Sequence, residues 1–366
     1  MKILAELKSL TGEQRAAFAA SFLGWALDAF DFFLLVFVIK AIADDFHAEI
    51  KAVTFAILLT LAMRPLGALV FGRLADRFGR QPVLMLDIVL YSVLEFASAF
   101  APSLTALLVL RALFGFAMGG EWGVGASLVM ESIPPRTRGA VSGILQQGYA
   151  VGYLLAAVAY FALFELIGWR GMFMLGVLPA LLVLYIRMRV KESPAWERMS
   201  ARGKPVGILE ALRGRWGLFL YVVLLMTAFN FFSHGTQDLY PTFLQVQHGF
   251  SPHVVGVIAV IYNIGAILGG VFFGAWSERV GRRRAVIVAA FLALPVIPLW
   301  AFSANPVLLA AGAFMVQFMV QGAWGTIPAD LNELSPEGVR GTFPGFAYQL
   351  GNPSPRSTRR CRRRSP

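Results

Sequence analysis

Three observations in the sequence predict an all-α integral membrane protein with about ten or eleven membrane spans. Hydrophobic residues make up 57% of the 366 residues and charged residues 14%, against roughly 45–50% and about 25% in soluble domains. The mean hydropathy is +0.66, and long apolar runs alternate with charged or Pro/Gly-containing segments. Motifs of the first half recur in the second half at one fixed offset. This composition excludes a soluble globular fold and a disordered chain.

The predicted spans follow from the lengths of the apolar runs, since a helix needs about 20 apolar residues to cross a bilayer. Helices are expected because lipid offers no other partners for the backbone groups of such long spans. Ten runs qualify, and an eleventh begins near Gly341. Their approximate limits are 18–40, 53–72, 83–101, 104–130, 139–164, 169–188, 216–246, 254–274, 285–303 and 306–330.

Lys and Arg are distributed unequally between successive loops, and this asymmetry predicts the orientation. With a cytoplasmic N-terminus, only Lys40, Lys51 and Arg170 fall outside. We therefore predict a multi-pass protein of the plasma (inner) membrane. The charged segment 190–215 becomes a cytoplasmic linker. The linker is predicted to separate an N-terminal six-helix bundle (residues 1–189) from an incomplete C-terminal bundle (residues 216–352).

The two halves of the chain repeat at an offset of 202 residues. Three separate motifs share this offset, and chance agreement of all three is very improbable. Repeated halves around a site at the membrane midplane are typical of secondary transporters. The matching pairs are 72–80 with 274–282, 120–123 with 322–325, and 131–139 with 333–341.

The first of these motifs resembles a known family signature. The string G-x-x-x-D-R-x-G-R between spans 2 and 3 resembles the signature of the major facilitator superfamily, and Arg111-x-x-x-Gly115 resembles its second motif. The resemblance covers residues 16 to about 352. It implies a fold of twelve helices in two pseudo-symmetric bundles, with about 10–11 of those spans present here.

The charged residues of these motifs are predicted to form a conformational latch. We mean by this an ion-pair cluster at the cytoplasmic helix ends that breaks and re-forms as the halves move. Asp76 with Arg77 and Arg80 supplies its charges, and the glycines allow a tight turn. The alternative is that the arginines only set the topology. The predicted latch residues are Gly72, Asp76, Arg77, Gly79, Arg80, Arg111, Glu131, Arg138, Gly274, Glu278, Arg279, Gly281, Arg282, Glu333 and Arg340.

Ionisable residues inside the spans are costly and are functional candidates by default. Asp28 and Asp31 lie three residues apart near the middle of span 1, Arg64 lies in span 2, and Arg111 and Glu121 lie in span 4. Burial disfavours a charged carboxylate unless an arginine pairs with it. Two interpretations therefore stay open. One is proton coupling through Asp28 or Asp31, and the other is static pairing of these residues with Arg64 or Arg111.

Span 7 contains a dense polar string, since residues 230–242 read NFFSHGTQDLYPT. Seven polar side chains in thirteen residues cannot face lipid, so we expect them to line a cavity or a helix interface. By the repeat, Asn230 corresponds to Asp28, which predicts polar faces of spans 1 and 7 opposite each other. His234 exchanges a proton near neutral pH, and Asn230 and Gln237 supply amide donors for a carboxylate.

The string is similar to the N-x-x-S-H-x-S/T-Q-D-x-x-x-T signature of Jen-type lactate/pyruvate permeases, within the sialate:proton symporter family. Thr236 takes the S/T position, and the G-W-x-x-D-x-F-D start of span 1 also fits. The resemblance implies proton-coupled uptake of short monocarboxylates. Sialate transporters of this family commonly carry extra membrane segments in the central region. Residues 189–215 are short and charged, which favours the monocarboxylate branch.

The sequence thus predicts a proton-coupled symporter for a short monocarboxylate such as lactate or pyruvate, working by alternating access. Its predicted partners are a small organic anion, a proton and the lipid bilayer, without nucleic acid, obligate protein partner, cofactor, metal or enzymatic activity. The alternatives are transport of another organic acid (sialate, aromatic or dicarboxylic) and a non-transporting remnant or sensor. The predicted proton-coupling residues are Asp28, Asp31 and His234, and the predicted substrate-binding residues are Asn230, His234, Gln237, Asp238, Arg64, Asn263, Gln317 and Gln321.

The C-terminal tail departs from the repeat. Span 11 is expected to continue to the end of the chain, but residues 353–366 read PSPRSTRRCRRRSP. We expect that this chain lacks most of span 11 and all of span 12, with an aberrant basic tail in another reading frame. The alternative is a genuine basic cytoplasmic tail. Six of its residues are arginines against a net charge of +11, so the charge does not indicate nucleic-acid binding.

Overall fold

The apolar runs form helices, and every regular element among the described residues is helical. The computed structural model describes residues 9–201, 208–237, 240–336 and 338–352. Short 3₁₀ turns over Pro135–Thr137, Leu175–Val177 and Leu294–Val296 join some of the helices. The helices of the first half are α1 (Gly12–Asp45), α2 (Ile50–Phe78), α3 (Arg80–Ser98), α4 (Leu104–Ser132), α5 (Arg138–Gln146), α6 (Gly148–Met174), α7 (Pro179–Arg189), α8 (Pro194–Ala201) and α9 (Ile208–Ala211).

The helices of the second half begin after the charged linker. Its first helix carries the polar string up to residue 237, and the last described helix follows Gly341 as the repeat predicts. They are α10 (Trp216–Gln237), α11 (Tyr240–Val246), α12 (Pro252–Val280), α13 (Arg282–Ala293), α14 (Ile297–Phe302), α15 (Pro306–Trp324), α16 (Ile327–Leu334) and α17 (Phe343–Leu350).

Local sequence signals explain where several helices begin and end. Thr11 and Gln14 form a capping box at the start of α1, in which the side chain of each residue accepts a hydrogen bond from the backbone amide of the other. The box satisfies two backbone donors that would otherwise be unpaired. Gly79 has φ 110° between α2 and α3, and Gly281 has φ 89° between α12 and α13. Only glycine adopts this backbone region cheaply. The two glycines therefore separate the paired helices at equivalent points of the repeat.

Nine helical stretches of the described chain are long and apolar enough to cross a membrane. Ten segments are predicted from the sequence, and the difference lies in one place. A single 55-residue stretch, Pro135–Arg189, contains both the fifth and the sixth predicted segments. Gly168 interrupts the helix there with φ 61° and ψ −175°, at the boundary predicted between 139–164 and 169–188.

The chain divides into two compact units, and each unit takes residues from both sequence halves. Among the described residues, the larger unit contains Thr11–Ser132, Gly148–Leu224 and those from Leu334 to Asn352. The smaller unit contains Ser9, Leu10 and the described residues of Ile133–Gln147 and Leu225–Glu333. The units therefore do not follow the linker, and the predicted division into two bundles at residues 190–215 stays a prediction. The tail, residues 353–366, lies outside the described residues.

Glycines let α2 and α4 approach closely in the larger unit. A Cβ placed on Gly115 would lie 2.5 Å from the Cα of Thr60, and one on Gly119 would lie 2.9 Å from the Cα of Arg64. Two apolar clusters of buried side chains surround this contact. Small residues that allow close backbone approach are the usual means of packing helices in membranes. This contact brings Arg64 and Arg111 into the interior of the unit.

We expect that Gly119→Leu lowers the free energy of unfolding by about 1–3 kcal/mol, because the added side chain forces α2 and α4 apart. Gly256→Leu is the matched control, since nothing lies within 4 Å of a Cβ built there. Unfolding in mixed detergent micelles measures both variants. Equal losses in the two would contradict the packing argument.

In the smaller unit, α12 packs against α15 and against α5. A Cβ placed on Gly265 would lie 2.5 Å from the carbonyl oxygen of Phe314, and one on Gly274 would lie 2.8 Å from the Cα of Gly143. A third apolar cluster, which includes Tyr240 and Leu309, closes the other end of this unit. The short helix α5 thus packs on α12 although many residues separate them in the chain.

Candidate functional site

A buried ion pair joins α1 and α2 in the larger unit. The Nη2 atom of Arg64 lies 3.5 Å from Oδ2 of Asp28, and both side chains are almost completely enclosed. A buried charge without a partner is strongly destabilising, so the pair explains how an arginine is tolerated deep in span 2. The structure therefore pairs Asp28 with Arg64, as the static interpretation predicts. Proton exchange at Asp28 stays a prediction.

A second buried ion pair joins α3 and α4. The Nη1 atom of Arg111 lies 2.6 Å from Oε2 of Glu95, and Nη2 donates a hydrogen bond of 2.7 Å to Ser98. The guanidinium also lies over the rings of Phe114, at 4.4 Å, and Phe173, at 5.0 Å. Arg111 therefore belongs to the interior of the unit. It pairs with Glu95 rather than with the loop residues of the latch, and its predicted part in the latch stays a prediction.

Three further carboxyl groups are buried in the same unit without a hydrogen-bond partner for either oxygen. These are the side chains of Asp31, Asp87 and Glu121. Together with Asp28, Glu95 and the two arginines they form what we call the buried charge cluster. Its five carboxyls face only two guanidiniums, so all five cannot be ionised at an acceptable cost.

Two members of the buried charge cluster, Asp87 and Glu95, were not among the residues predicted from the sequence. Both lie within predicted span 3, eight residues apart. The rule that marked Asp28 and Arg64, that an ionisable residue in an apolar span is a functional candidate, applies to them equally. The signal was therefore present in the sequence. Neither residue, however, is part of a recognisable motif in span 3.

In the smaller unit, side chains of α10 and α15 form a hydrogen-bonded group that we call the polar ladder. Gln321 donates to Ser233 at 3.3 Å and to Gln237 at 3.4 Å. Gln317 donates to Thr236 at 3.2 Å, and its amide oxygen is buried without a partner. The predicted residues Gln237, Gln317 and Gln321 are thus brought together. The remaining acceptor on Gln317 indicates that the ladder is not saturated.

The other predicted substrate residues of this unit are placed differently. The amides of Asn230 and Asn263 donate to backbone oxygens one turn earlier in their own helices, at 2.9 Å and 2.8 Å. His234 is exposed on α10. Asp238 lies outside the described residues. The structure therefore joins three of the predicted residues in the ladder and leaves Asn230 and Asn263 outside its hydrogen bonds.

The first loop motif forms a network that is buried in the larger unit. Arg80 contacts Asp76 at 3.2 Å and Glu131 at 3.1 Å. Asp76 in turn accepts hydrogen bonds from the backbone amides of Gly341, at 2.7 Å, and Thr342, at 3.1 Å. The hydroxyl of Thr342 donates to the same carboxylate at 2.5 Å. We call these five residues the first loop network, in which Asp76 caps the start of α17.

The residues around the start of α8 complete this network. The hydroxyl of Ser193 donates to Glu131, and the indole of Trp196 donates to the backbone oxygen of Asp76 at 3.0 Å. Glu192 accepts from the backbone amide of Gln81 at 3.1 Å. Burial raises the pKa of Glu192, although backbone amides partly offset the effect. The charged linker thus begins as a docked segment of the larger unit.

The second loop motif forms the equivalent network in the smaller unit. Arg282 contacts Glu278 at 3.0 Å and Glu333 at 3.1 Å, and Glu278 accepts a hydrogen bond from the backbone amide of Gly139. Arg282 also donates to Ser277 at 2.6 Å. We call these five residues the second loop network. The two ion pairs and the contact with Gly139 repeat contacts of the first network at the offset of 202, so a carboxylate again contacts the backbone of the other sequence half. The bond to Ser277 differs, since Arg80 donates to the backbone oxygen of Ala75 at the equivalent position.

The remaining latch residues do not all join these networks. Arg77 is exposed and lies over the ring of Phe78, at 5.1 Å, and Arg279 is also exposed. Neither pairs with a carboxylate among the described residues, which corrects the prediction that Arg77 shares an ion pair with Asp76. The backbone oxygen of Arg340 accepts a hydrogen bond of 2.5 Å from Ser127. Because the side chains of Arg77 and Arg279 are exposed, their charges lie at the surface.

Together these features define a multi-pass membrane protein of the transporter class. They are the apolar helices of spanning length, the repeated pair of loop networks and the buried ionisable groups. The chain belongs to the Major Facilitator Superfamily, whose sequence profile matches residues 21–353. The family confirms the predicted all-α membrane fold and the prediction that the chain is not an enzyme.

Several characterised proteins are similar along most of the chain. The carboxylic acid transporter protein homolog of Saccharomyces cerevisiae is 29% identical over 375 residues, covering 95% of this chain and 61% of the yeast protein. The sialic acid transporter NanX of Escherichia coli is 30% identical over 349 residues, covering 94% of this chain and 85% of NanX. The chain thus spans less than two thirds of the yeast relative and most of the bacterial one.

Solved structures show the same fold. The proton:xylose symporter XylE, bound to 6-bromo-6-deoxy-D-glucose, matches with a TM-score of 0.73 and 20% identity, over 93% of this chain and 86% of XylE. The human organic anion transporter MFSD10 matches with a TM-score of 0.68 and 19% identity, over 93% of this chain and 90% of MFSD10. At these identities the likeness is one of fold alone.

Proposed function

We propose that this chain is a proton-coupled symporter for a short monocarboxylate such as lactate or pyruvate, working by alternating access. The observation that carries the proposal is the polar ladder between α10 and α15. Amide and hydroxyl groups can donate hydrogen bonds to a carboxylate and exchange partners at little cost. Such groups in otherwise apolar helices are suited to bind an organic anion reversibly.

The substrate class is supported by the span 7 string and by the names of two relatives. Those names refer to carboxylic acid and sialic acid transport. We propose that Gln237, Gln317 and Gln321 bind the anion directly. Asn230, His234 and Asp238 belong to the same string in the chain.

The buried charge cluster supports the coupling to protons. Arg64 compensates Asp28, whereas neither carboxyl oxygen of Asp31 has a hydrogen bond among the described residues. We therefore favour Asp31 over Asp28 as the proton carrier of span 1, with His234 of the span 7 string as a second candidate. We propose the two loop networks as the latch, and we propose that the chain lies in the plasma membrane with its N-terminus in the cytoplasm.

Uptake of labelled lactate into proteoliposomes tests the proposal. With an inward proton gradient, we expect the wild-type chain to accumulate lactate. Gln321→Leu should raise KM about tenfold or more, because a hydrogen bond to a charged group contributes about 1.5–3 kcal/mol. Gln247→Leu is the matched control, since Gln247 is exposed beyond α11, and it should leave KM unchanged.

Two outcomes would contradict this mechanism. One is lactate uptake that ignores the proton gradient, and the other is gradient-driven uptake that survives His234→Ala combined with Asp238→Ala.

A second candidate function, transport of another organic acid, is supported by the sialic acid transporter among the relatives. Competition by sialate, aromatic and dicarboxylic acids separates it from lactate transport. No uptake of any acid would favour a non-transporting protein.

A further inference from the structure

Asp87 on α3 and Glu121 on α4 are completely buried, and none of their four carboxyl oxygens has a hydrogen-bond partner in the described part of the chain. Both arginines of the buried charge cluster are engaged elsewhere, Arg64 with Asp28 and Arg111 with Glu95. The proton assignments made above for span 1 do not use these two carboxyls. They therefore need an explanation of their own.

The carboxyl of Glu121 occupies a notch formed by two glycines. A Cβ placed on Gly24 would meet its Oε1 atom, and a Cβ on Gly125 would lie 3.5 Å from the same atom. The hydroxyl of Ser21 borders this notch, also 3.5 Å from the Gly125 position. That hydroxyl is buried and has no hydrogen-bond partner. The notch thus holds an unpartnered carboxyl beside an unpartnered hydroxyl.

The charges around this pair are strongly unbalanced. The charge of Glu121 interacts with those of Asp28, Asp87 and Arg64, and the charge of Asp87 interacts with that of Asp28. Arg64 interacts with Asp28 and Glu121, whereas Asp87 has no arginine beside it among the described residues. Fully ionised, the three carboxyls and Arg64 would carry a net charge of −2 in an apolar interior. The titratable and charged groups that face the pair from the packed helices are Asp28, Arg64 and Tyr91. Asp31 and Tyr348 interact with Asp28 in turn, and Glu95 and Arg111 interact with Asp31.

We propose that Asp87 and Glu121 form a second proton-binding site, separate from the proton carrier of span 1. At rest each of the two carboxyls carries a proton in an O–H bond, and in each cycle one of these protons leaves as the cluster opens to one side and is replaced from the other side. No metal is required, and no group of carboxylates and histidines able to hold one is found among the described residues. The proposal rests on the proposed proton-coupled function, since the site adds one proton to each transport cycle.

Infrared difference spectroscopy tests the proton occupancy directly, without any substrate. The purified wild-type chain at neutral pH should show the C=O stretch of protonated carboxyl groups. E121Q and D87N should each lose part of that band, while keeping the wild-type melting temperature because a neutral amide replaces a neutral acid. Asp45→Asn is the control, because Asp45 is half-exposed and paired with Arg170. A band unchanged in both cluster variants would overturn the proposal.

The proton-to-lactate ratio in voltage-clamped proteoliposomes tests whether the site takes part in transport. Wild-type uptake should carry net positive charge, and E121Q should take up lactate more slowly and without that current. Asp45→Asn should keep both uptake and current. Proton-driven uptake with an unchanged ratio in E121Q and D87N would overturn the second site while leaving the proposed function intact. Absence of proton-driven lactate uptake in the wild type would instead reject the proposed function, and the infrared measurement would still decide proton occupancy.

Discussion

Replacing Arg80 by alanine is expected to lower the free energy of unfolding by about 3–5 kcal/mol. The reason is that Asp76 and Glu131 would be left buried without a counter-charge. The side chains of the triad are 2%, 0% and 1% exposed, in the order Arg80, Asp76, Glu131. Water therefore cannot replace the lost guanidinium. Because Asp76 also caps α17, the same substitution should abolish lactate uptake.

The second loop network supplies the matched control, since Arg282 occupies the equivalent position of the repeat. Its side chain is 10% exposed, and those of Glu278 and Glu333 are 21% and 35% exposed. Partly hydrated ion pairs contribute about 1 kcal/mol or less. We therefore expect Arg282→Ala to lower the free energy of unfolding by about 1 kcal/mol.

Unfolding of both variants by sodium dodecyl sulfate in mixed micelles measures the difference. A larger loss for Arg80→Ala supports burial as the determinant of network strength. Equal losses of unfolding free energy in Arg80→Ala and Arg282→Ala would contradict this interpretation, because the two equivalent ion pairs would then contribute equally despite their different burial. Arg77→Ala should be silent in the same assay, because Arg77 is exposed.

The next largest effect is expected at Arg111. Arg111→Met should lower the free energy of unfolding by about 3 kcal/mol or more, because Glu95 loses its counter-charge in a fully buried position. Ser98 loses its charged donor as well. Methionine keeps much of the volume beside Phe114 and Phe173, so the loss reports the charge more than a cavity.

A second substitution separates the charge effect from the packing effect. Glu95→Gln combined with Arg111→Met removes both charges at once, and an apolar or neutral replacement of a buried ion pair is often close to neutral. The double variant should therefore recover most of the stability lost by Arg111→Met. A double variant as unstable as the sum of the two single variants would contradict the ion pair as the cause. Thermal melting in detergent gives the required comparison.

Much of the fold follows from local features of the chain. Apolar runs of spanning length can only be helices in lipid, and all ten predicted runs correspond to helical stretches. The interruption at Gly168 and the break at Gly79 lie where the sequence predicts the end of a span or a motif turn. The repeat at 202 residues also predicts that Arg80 and Arg282 serve equivalent networks, and the contacts agree.

The candidate sites could be predicted only in part. Asp76 and Arg80 lie four residues apart on either side of the turn at Gly79, so their contact is readable from the motif. The choice of Glu95 rather than Asp31 as partner of Arg111 is not readable, because both acids lie in apolar spans at similar depth. Arg77 carries the same charge as Arg80 within the same motif, and only the direction of its side chain distinguishes the two.

The amino-acid order alone was enough to establish a helical membrane protein with repeated halves, since hydropathy and repetition are properties of the chain in one dimension. Three-dimensional packing was needed to settle which ionisable groups are compensated. Asp28 and Glu95 each form an ion pair with an arginine, whereas Asp31, Asp87 and Glu121 do not. The physical reason is that hydropathy reports the burial of a residue, whereas an ion pair requires two side chains of different helices to meet within a few ångströms. That meeting depends on how closely the helices approach, which glycines such as Gly119 permit.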